Sequence, residues 1–190
     1  MISDYSPVPS SDAFVYRIRP ARPDDLLLMP VIEEDPGSLF RTVGMDAIAD
    51  DAVPSVADLR PYVDQERSWV AVDAADQAVG YLIASVVDGE GHVDQVSVMR
   101  EWTRRGVGRA LLHRAVEWAR ENDFEEVTLT TFVEVPWNGP YYERLGFRYL
   151  AASEFGEELT RIRVEERLRG LDAWPRAAMM MCLADAHTLS

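Results

Sequence analysis

A single cysteine, Cys182, stands in the chain. No internal disulfide can cross-link the fold, and a reducing cytoplasm is the expected setting. Long apolar runs are missing too, so nothing reads as a bilayer-spanning helix and no membrane partner is expected. The opening stretch, Met1 to Phe14, has neither a basic start nor a hydrophobic run. Residues 1–12 are read as a loose, flexible arm, not as a secretory signal. No set of histidine, cysteine and acidic residues has metal-ligating spacing, and no metal is expected. Internal repeats and low-complexity tracts are absent.

Basic residues are scarce. Nineteen lysines and arginines face 33 aspartates and glutamates, for a formal net charge of −14. Such a chain repels nucleic-acid backbones, and no nucleic-acid partner is expected. It also repels an anionic cofactor, so any anion site has to be built locally. The densest basic cluster near glycines is Arg100, Arg104, Arg105 and Arg109. The acidic remainder favours a cationic partner such as an amine, although a solvated acidic surface accounts for the same count.

What is present describes an ordinary core. The 190 residues are 47% hydrophobic and 27% charged, enough for one domain. Residues 13–185 are read as that domain and 186–190 as a tail. Phe14–Ala21 alternates as a first strand, and Pro23 opens a helical run that Pro30 divides. Residues 36–54 read as loop, and Val56–Glu66 as a helix interrupted at Pro61. Ser68–Ala74 and Ala78–Asp88 read as a hairpin, with a further strand over His92–Val98. Gly108, Leu111, Leu112, Ala115, Val116 and Ala119 then recur at helical spacing. A strand over Glu125–Val133, a short helix over Asn138–Arg144 capped by Gly146, and a strand over Phe147–Ser153 follow. A charged helical segment and a closing apolar strand, Arg176–Ala184, complete the order. That last strand is read either as an inner strand or as a contact in a homodimer.

Gly106 and Gly108 sit between a strand and a helix. There, backbone N–H groups lack intrahelical partners and the helix dipole favours an anion. A helix start with incidental glycines explains the pair equally well. A dinucleotide fingerprint needs a third glycine where Leu111 stands, and the acids Glu125 and Glu126 lie at the start of the next strand rather than its end. A Walker loop fails because no Gly-Lys-Ser/Thr is present.

The flanks add more. The run Val93–Arg120, VDQVSVMREWTRRGVGRALLHRAVEWAR, resembles the central motif of the GCN5-related N-acetyltransferase (GNAT) superfamily. The signature Gln/Arg-x-x-Gly-x-Gly/Ala falls on Thr103-Arg104-Arg105-Gly106-Val107-Gly108, with Thr103 in place of the usual first residue. A second family motif matches NGPYYERLGF, Asn138 to Phe147. The resemblance implies an α/β (α+β) fold with a mixed, mostly antiparallel sheet of six to seven strands. A central parallel pair would splay apart, with helices on both faces.

The resemblance also implies acetyl-CoA as cosubstrate, its pantetheine arm lying between the splayed strands beside Val96, Ser97 and Val98. Its diphosphate would rest on amides from Arg104 to Arg109, and Asn138 would help hold it, unless Asn138 merely caps a helix. The amide of Val98 would face the thioester carbonyl and stabilise the developing oxyanion. The attacking amine must lose a proton. His92 and Asp94 occupy strand positions where relatives carry a base, and their two-residue spacing puts them on one face. A histidine with pKa near about 6.5 suits the task better than an aspartate near about 3.9. His92 also reads as a strand-edge residue beside a glycine turn, and Asp94 as a group that binds the ammonium or orients a water. Tyr142 sits at the family's tyrosine position and would protonate the departing thiolate, unless it packs in the core while Tyr141 faces the ligand.

The acceptor pocket would draw on Glu33, Glu34, Asp35 and Phe40, then on Glu134, Trp137 and Tyr141. Carboxylates beside aromatics suit a cationic amine. A small amine or amino-acid-like acceptor leads, and a protein N-terminus or lysine follows. The alternative is a CoA-binding regulatory or partner-binding module without turnover, which the charged segment Glu157–Arg169 could serve.

Overall fold

The computed structural model describes residues 15–184. The proposed arm over 1–12 and tail over 186–190 lie outside them. Among the described residues seven strands form one sheet: β1 (Arg17–Pro20), β2 (Ser68–Val72), β3 (Ala78–Val87), β4 (Glu90–Val98), β5 (Glu126–Phe132), β6 (Arg148–Tyr149) and β7 (Arg176–Cys182). Their order across the sheet is β1-β2-β3-β4-β5-β7-β6. All pairs are antiparallel except β4 and β5. Among the described residues the six α-helices are α1 (Met29–Gly37), α2 (Asp46–Ala49), α3 (Val56–Asp64), α4 (Val107–Glu121), α5 (Gly139–Arg144) and α6 (Glu157–Leu168). Among the described residues no helix is long and apolar enough to cross a membrane.

Each face of the sheet is covered because each helix is one-sided. On α4, Val107, Leu111, Leu112, Ala115, Val116 and Ala119 are buried, and they meet Trp69, Leu82, Val93 and Leu129 of the strands. The opposite face carries Val70, Val72, Tyr81 and Ile83 under Leu26, Met29 and Ile32 of the α1 region and Leu59 and Val63 of α3. Leu159 and Ile162 of α6 cover Val87 and Ala178 farther along the same sheet. A small cluster of Met45, Phe132, Val135, Phe40, Ile48 and Trp174 ties the α1–α3 connection to the end of β5.

Several local expectations change. Pro61 does not interrupt α3, which runs through it. A proline there forfeits one backbone bond, while the reciprocal cap between Ser55 and Asp58 and the buried Leu59 and Val63 hold the helix. The loop-rich stretch 36–54 holds a 3-10 turn and α2. β6 is only two residues long; it pairs with β7 at Arg148↔Met180 and Tyr149↔Met179, and the Leu150 N–H adds one bond to the Ala178 carbonyl at 3.0 Å. β7 lies between β5 and β6 with Ala178, Met179, Met180 and Met181 buried, so its apolar run is explained within one chain. Nor is α6 a free charged surface: Leu159 and Glu166 point inward.

The start of α6 is fixed by the β3–β4 turn. Asp88 accepts from the N–H groups of Glu158 (2.9 Å) and Leu159 (3.0 Å), and its own N–H donates to the Glu158 carboxylate at 2.6 Å. A Cβ on Gly156 would stand 2.2 Å from the Asp88 side chain, so only glycine fits there. Asp88→Ala removes this cap from a helix that carries a buried ion network. The expected loss in melting temperature is about 2–4 °C, read by calorimetry.

Candidate active site

The parallel pair is short. Gly91, His92 and Val93 pair with Val127, Thr128 and Leu129, and pairing then stops. The cause lies on the other side of β4. Ile83 faces Gln95 but Ala84 faces Val93, so Asp94 is an extra residue, a bulge. A bulge bends its strand and strengthens its twist. β4 and β5 part where Asp94 is inserted.

Beyond that point β4 is no longer paired with β5. The Met99 N–H bonds the Val79 carbonyl at 2.9 Å, so the alternation turns the N–H groups of Val96 and Val98 away from β3 and into the gap. A cleft of about 1700 Å³ runs through it. Val96, Ser97, Val98, Thr103, Arg104, Gly106, Val107, Gly108, Asn138, Tyr142 and Asp94 all line it. Of the residues expected at the site, His92, Arg105, Arg109, Asp35 and Glu134 do not. Arg109 lines a smaller pocket of about 420 Å³ with Tyr16 and His113, and the Arg105 Nε donates to the Glu101 carbonyl at 2.8 Å.

At one end of the cleft lies the start of α4. Gly106 is its N-cap in the left-handed region, φ +82°, and no side chain caps the helix. Arg104 is also left-handed, φ +59°. Left-handed residues within a turn are a feature of anion nests, and the turn into α4 has two, Arg104 and Gly106. The first-turn amides have no intrahelical partner, and Arg104 and Arg144 line the same space. These groups fit a diphosphate. The Thr103 hydroxyl contributes differently from the usual family residue, since it donates to the Arg100 carbonyl at 2.7 Å.

Two tyrosines follow on α5. Tyr142 packs in the core against Phe147, and Tyr141 is half-buried beside it. Both line the cleft. Burial pushes the Tyr142 phenol well above its ordinary range, and the Tyr141 ring nearby adds to this. Asn138 makes no side-chain cap on α5; its Nδ2 donates to Thr131 on β5 at 3.0 Å.

The other end is rich in carboxylates. Asp94 keeps accessible surface toward the cleft, yet protein crowds its carboxyl and desolvation pushes its pKa up to about 6, against hydrogen bonds from Ser85 (3.1 Å) and Tyr62. Glu33 is raised by burial, with donation from Tyr81 and Gln95 pulling the other way. Glu166 is different: burial works against its charge, but Arg176, Thr130 and Arg163 hold it below the usual carboxylate range. Arg169 reaches from the end of α6 to Asp51 on the opposite wall at 2.9 Å.

His92 is buried two residues before the splay at Asp94. Thr128 donates to the Gly91 carbonyl (3.2 Å), so its oxygen accepts from the His92 Nδ1–H at 2.8 Å. Burial lowers the His92 pKa to about 4. It is a neutral ring that fastens β4 to β5, away from the cleft.

Gln95, Thr130, Glu166, Arg169 and Arg176 were not expected at the site. Gln95 arrives through the bulge, which no local pattern announces. Glu166 had a partial signal in its i,i+3 spacing from Arg163.

The Acetyltransferase (GNAT) family profile matches residues 32–147, and the chain belongs to this family, whose acyl donor is acetyl-CoA. Streptothricin acetyltransferase A of Bacillus subtilis (strain 168) is 41% identical over 49 residues, 26% of this chain and 28% of that relative. The matched segment thus spans little more than a quarter of that protein. PaiA N-acetyltransferase of Thermoplasma acidophilum, solved with coenzyme A, superposes with a TM-score of 0.65 at 12% identity, over 88% of this chain and 99% of that one. Nourseothricin acetyltransferase gives a TM-score of 0.58 at 20% identity, over 88% and 98%. At these identities the two structures share the fold.

Proposed function

We propose that the protein is an N-acetyltransferase that moves the acetyl group of acetyl-CoA to a primary amine of a small cationic acceptor. The observation that carries this reading is the cleft itself. One end is an uncapped, arginine-flanked helix start, the middle is β4 backbone unpaired with β5, and the far end is lined by Glu33, Asp94 and Asp51. A thioester donor suits the first two parts and an ammonium acceptor the third. A relative named as a streptothricin acetyltransferase and a fold neighbour named as a nourseothricin acetyltransferase support a small-molecule acceptor. So does the pairing of Arg169 with Asp51, which joins the two walls of the acceptor end and favours a slender ligand over a folded protein surface.

Acetyl-CoA supplies an activated acyl group and a thiolate leaving group. This chain's residues handle the protons. Asp94 takes the proton that the acceptor ammonium must lose, with Ser85 and Tyr62 orienting its carboxylate. Tyr142 donates to the sulfur as it departs. The amine nitrogen attacks the carbonyl carbon directly as the carbon–sulfur bond breaks. The test is release of free thiol from acetyl-CoA across a panel of small diamines, aminoacyl compounds and peptides. Thiol release with small amines is expected; tight CoA binding with no thiol from any amine would leave the non-catalytic module as the better reading.

A pH profile follows. Only ionised Asp94 accepts a proton, so kcat/KM rises with pH up to about 6 and then levels with respect to this group. Asp94→Asn removes that limb and lowers kcat about 100-fold or more. A limb that survives in Asp94→Asn would assign the base elsewhere.

A further inference from the structure

The backbone amide of β4 nearest the point of splay already has a partner. The Val96 N–H donates to the Oε1 of its neighbour Gln95 at 3.0 Å. The other end of the same side chain, Nε2, donates to Glu33 at 2.6 Å, and Tyr81 donates to the second Glu33 oxygen. Gln95 thus spans from β4 to the acceptor wall. Its place depends on the bulge, since Asp94 and Gln95 together oppose the single β3 step from Ala84 to Ile83.

The position of Val96 matters. The anion nest fixes where the donor's diphosphate end would lie, near Val98 and the start of α4. The reactive end must then point the other way, toward the closed end of the gap at Val93 and Leu129. Val96 lies closer to that end than Val98, whose amide the family resemblance places at the thioester carbonyl. An acyl carbonyl arriving there needs an N–H donor and meets one that Gln95 occupies.

We infer that Gln95 is a positioning residue that senses the acyl group: its side chain covers the Val96 N–H in the free enzyme, gives way to an acyl carbonyl, and transmits that change to Glu33. The inference rests on the acyl-transfer reading of the cleft. It makes the enzyme discriminate acetyl-CoA from CoA through one exchangeable hydrogen bond. CoA carries no acyl carbonyl and leaves Gln95 on Val96, so Glu33 keeps its unliganded setting. Acetyl-CoA displaces the Oε1, and Gln95 remains tied to Glu33 alone.

The experiment is calorimetric titration of acetyl-CoA and of CoA into the wild type and Gln95→Met, a variant of similar length that cannot cover the amide. Removing the competitor tightens acetyl-CoA about fivefold, the worth of one net hydrogen bond, and leaves CoA unchanged. Equal changes for both ligands, no change for either, or weaker acetyl-CoA binding overturns the proposal. A measurement on the wild type guards against a damaged variant. The amide resonance of Val96 moves on adding acetyl-CoA and stays in place on adding CoA; a resonance that ignores acetyl-CoA overturns the proposal as well. If neither ligand binds the wild type, the acyltransferase reading fails instead.

Discussion

Tyr142→Phe lowers turnover about 100-fold or more while CoA affinity stays within about twofold. The reason is the state of the phenol. Its ring is buried among Phe147 and Tyr141, with centroids 5.8 and 5.6 Å away, but its hydroxyl makes no hydrogen bond with the described residues. That hydroxyl is not sealed in the core, so its partner comes from the cleft side, water or ligand. Burial also keeps the phenol protonated at every working pH, so it can donate and cannot act as a base. Phenylalanine preserves the ring packing and deletes only the O–H. The melting temperature therefore holds while the chemical step slows. Thiol-release kinetics and calorimetry on the same preparation separate the two. Unchanged turnover would remove Tyr142 as the acid and pass the role to Tyr141, which lines the same cleft.

The sequence carried the donor half of the site better than the acceptor half. Strand, glycine turn and helix follow one another within Val93–Arg120, so their geometry is local and their residues announce it. The same holds for Asn138–Phe147. The splay was expected from resemblance alone; its physical cause, the Asp94 bulge, depends on counting residues across two strands. The same bulge decides what the two expected bases can do. His92 and Asp94 were placed on one face by spacing, but only Asp94 lines the cleft, and His92 is held by Thr128 from the neighbouring strand. Free-solution pKa values favoured histidine. Burial reverses that order, taking His92 to about 4 and Asp94 to about 6. α6 was legible as a helix but not as a wall, because Glu166 is neutralised by Arg176, ten residues on and on another element.

Gly106→Val abolishes donor binding, with CoA affinity falling at least about 100-fold. The position requires φ of +82°, where a side chain is strained whatever the space around it. A residue other than glycine disfavours that region by roughly 1–2 kcal/mol, and a β-branched one more. Arg104 is already left-handed two residues earlier, so the turn has little freedom to absorb a second misfit. Space is short as well: an added Cβ would lie 3.3 Å from the Tyr16 hydroxyl. Relief comes by rotating the backbone, which turns the amides of the nest away from one another. Helix α4 itself survives, since its buried face from Val107 to Ala119 is untouched. Far-UV circular dichroism should therefore match the wild type while CoA titration heats vanish. Gly108→Ala is the control. Its Cβ would meet the Tyr141 hydroxyl at an ordinary 3.4 Å and needs no unusual φ, so affinity falls much less. Equal losses in the two variants would point to bulk in the cleft. A loss confined to Gly106 points to the direction of the backbone amides, which is what an anion nest at the start of α4 requires. Retained affinity in Gly106→Val would remove the nest from the donor site altogether.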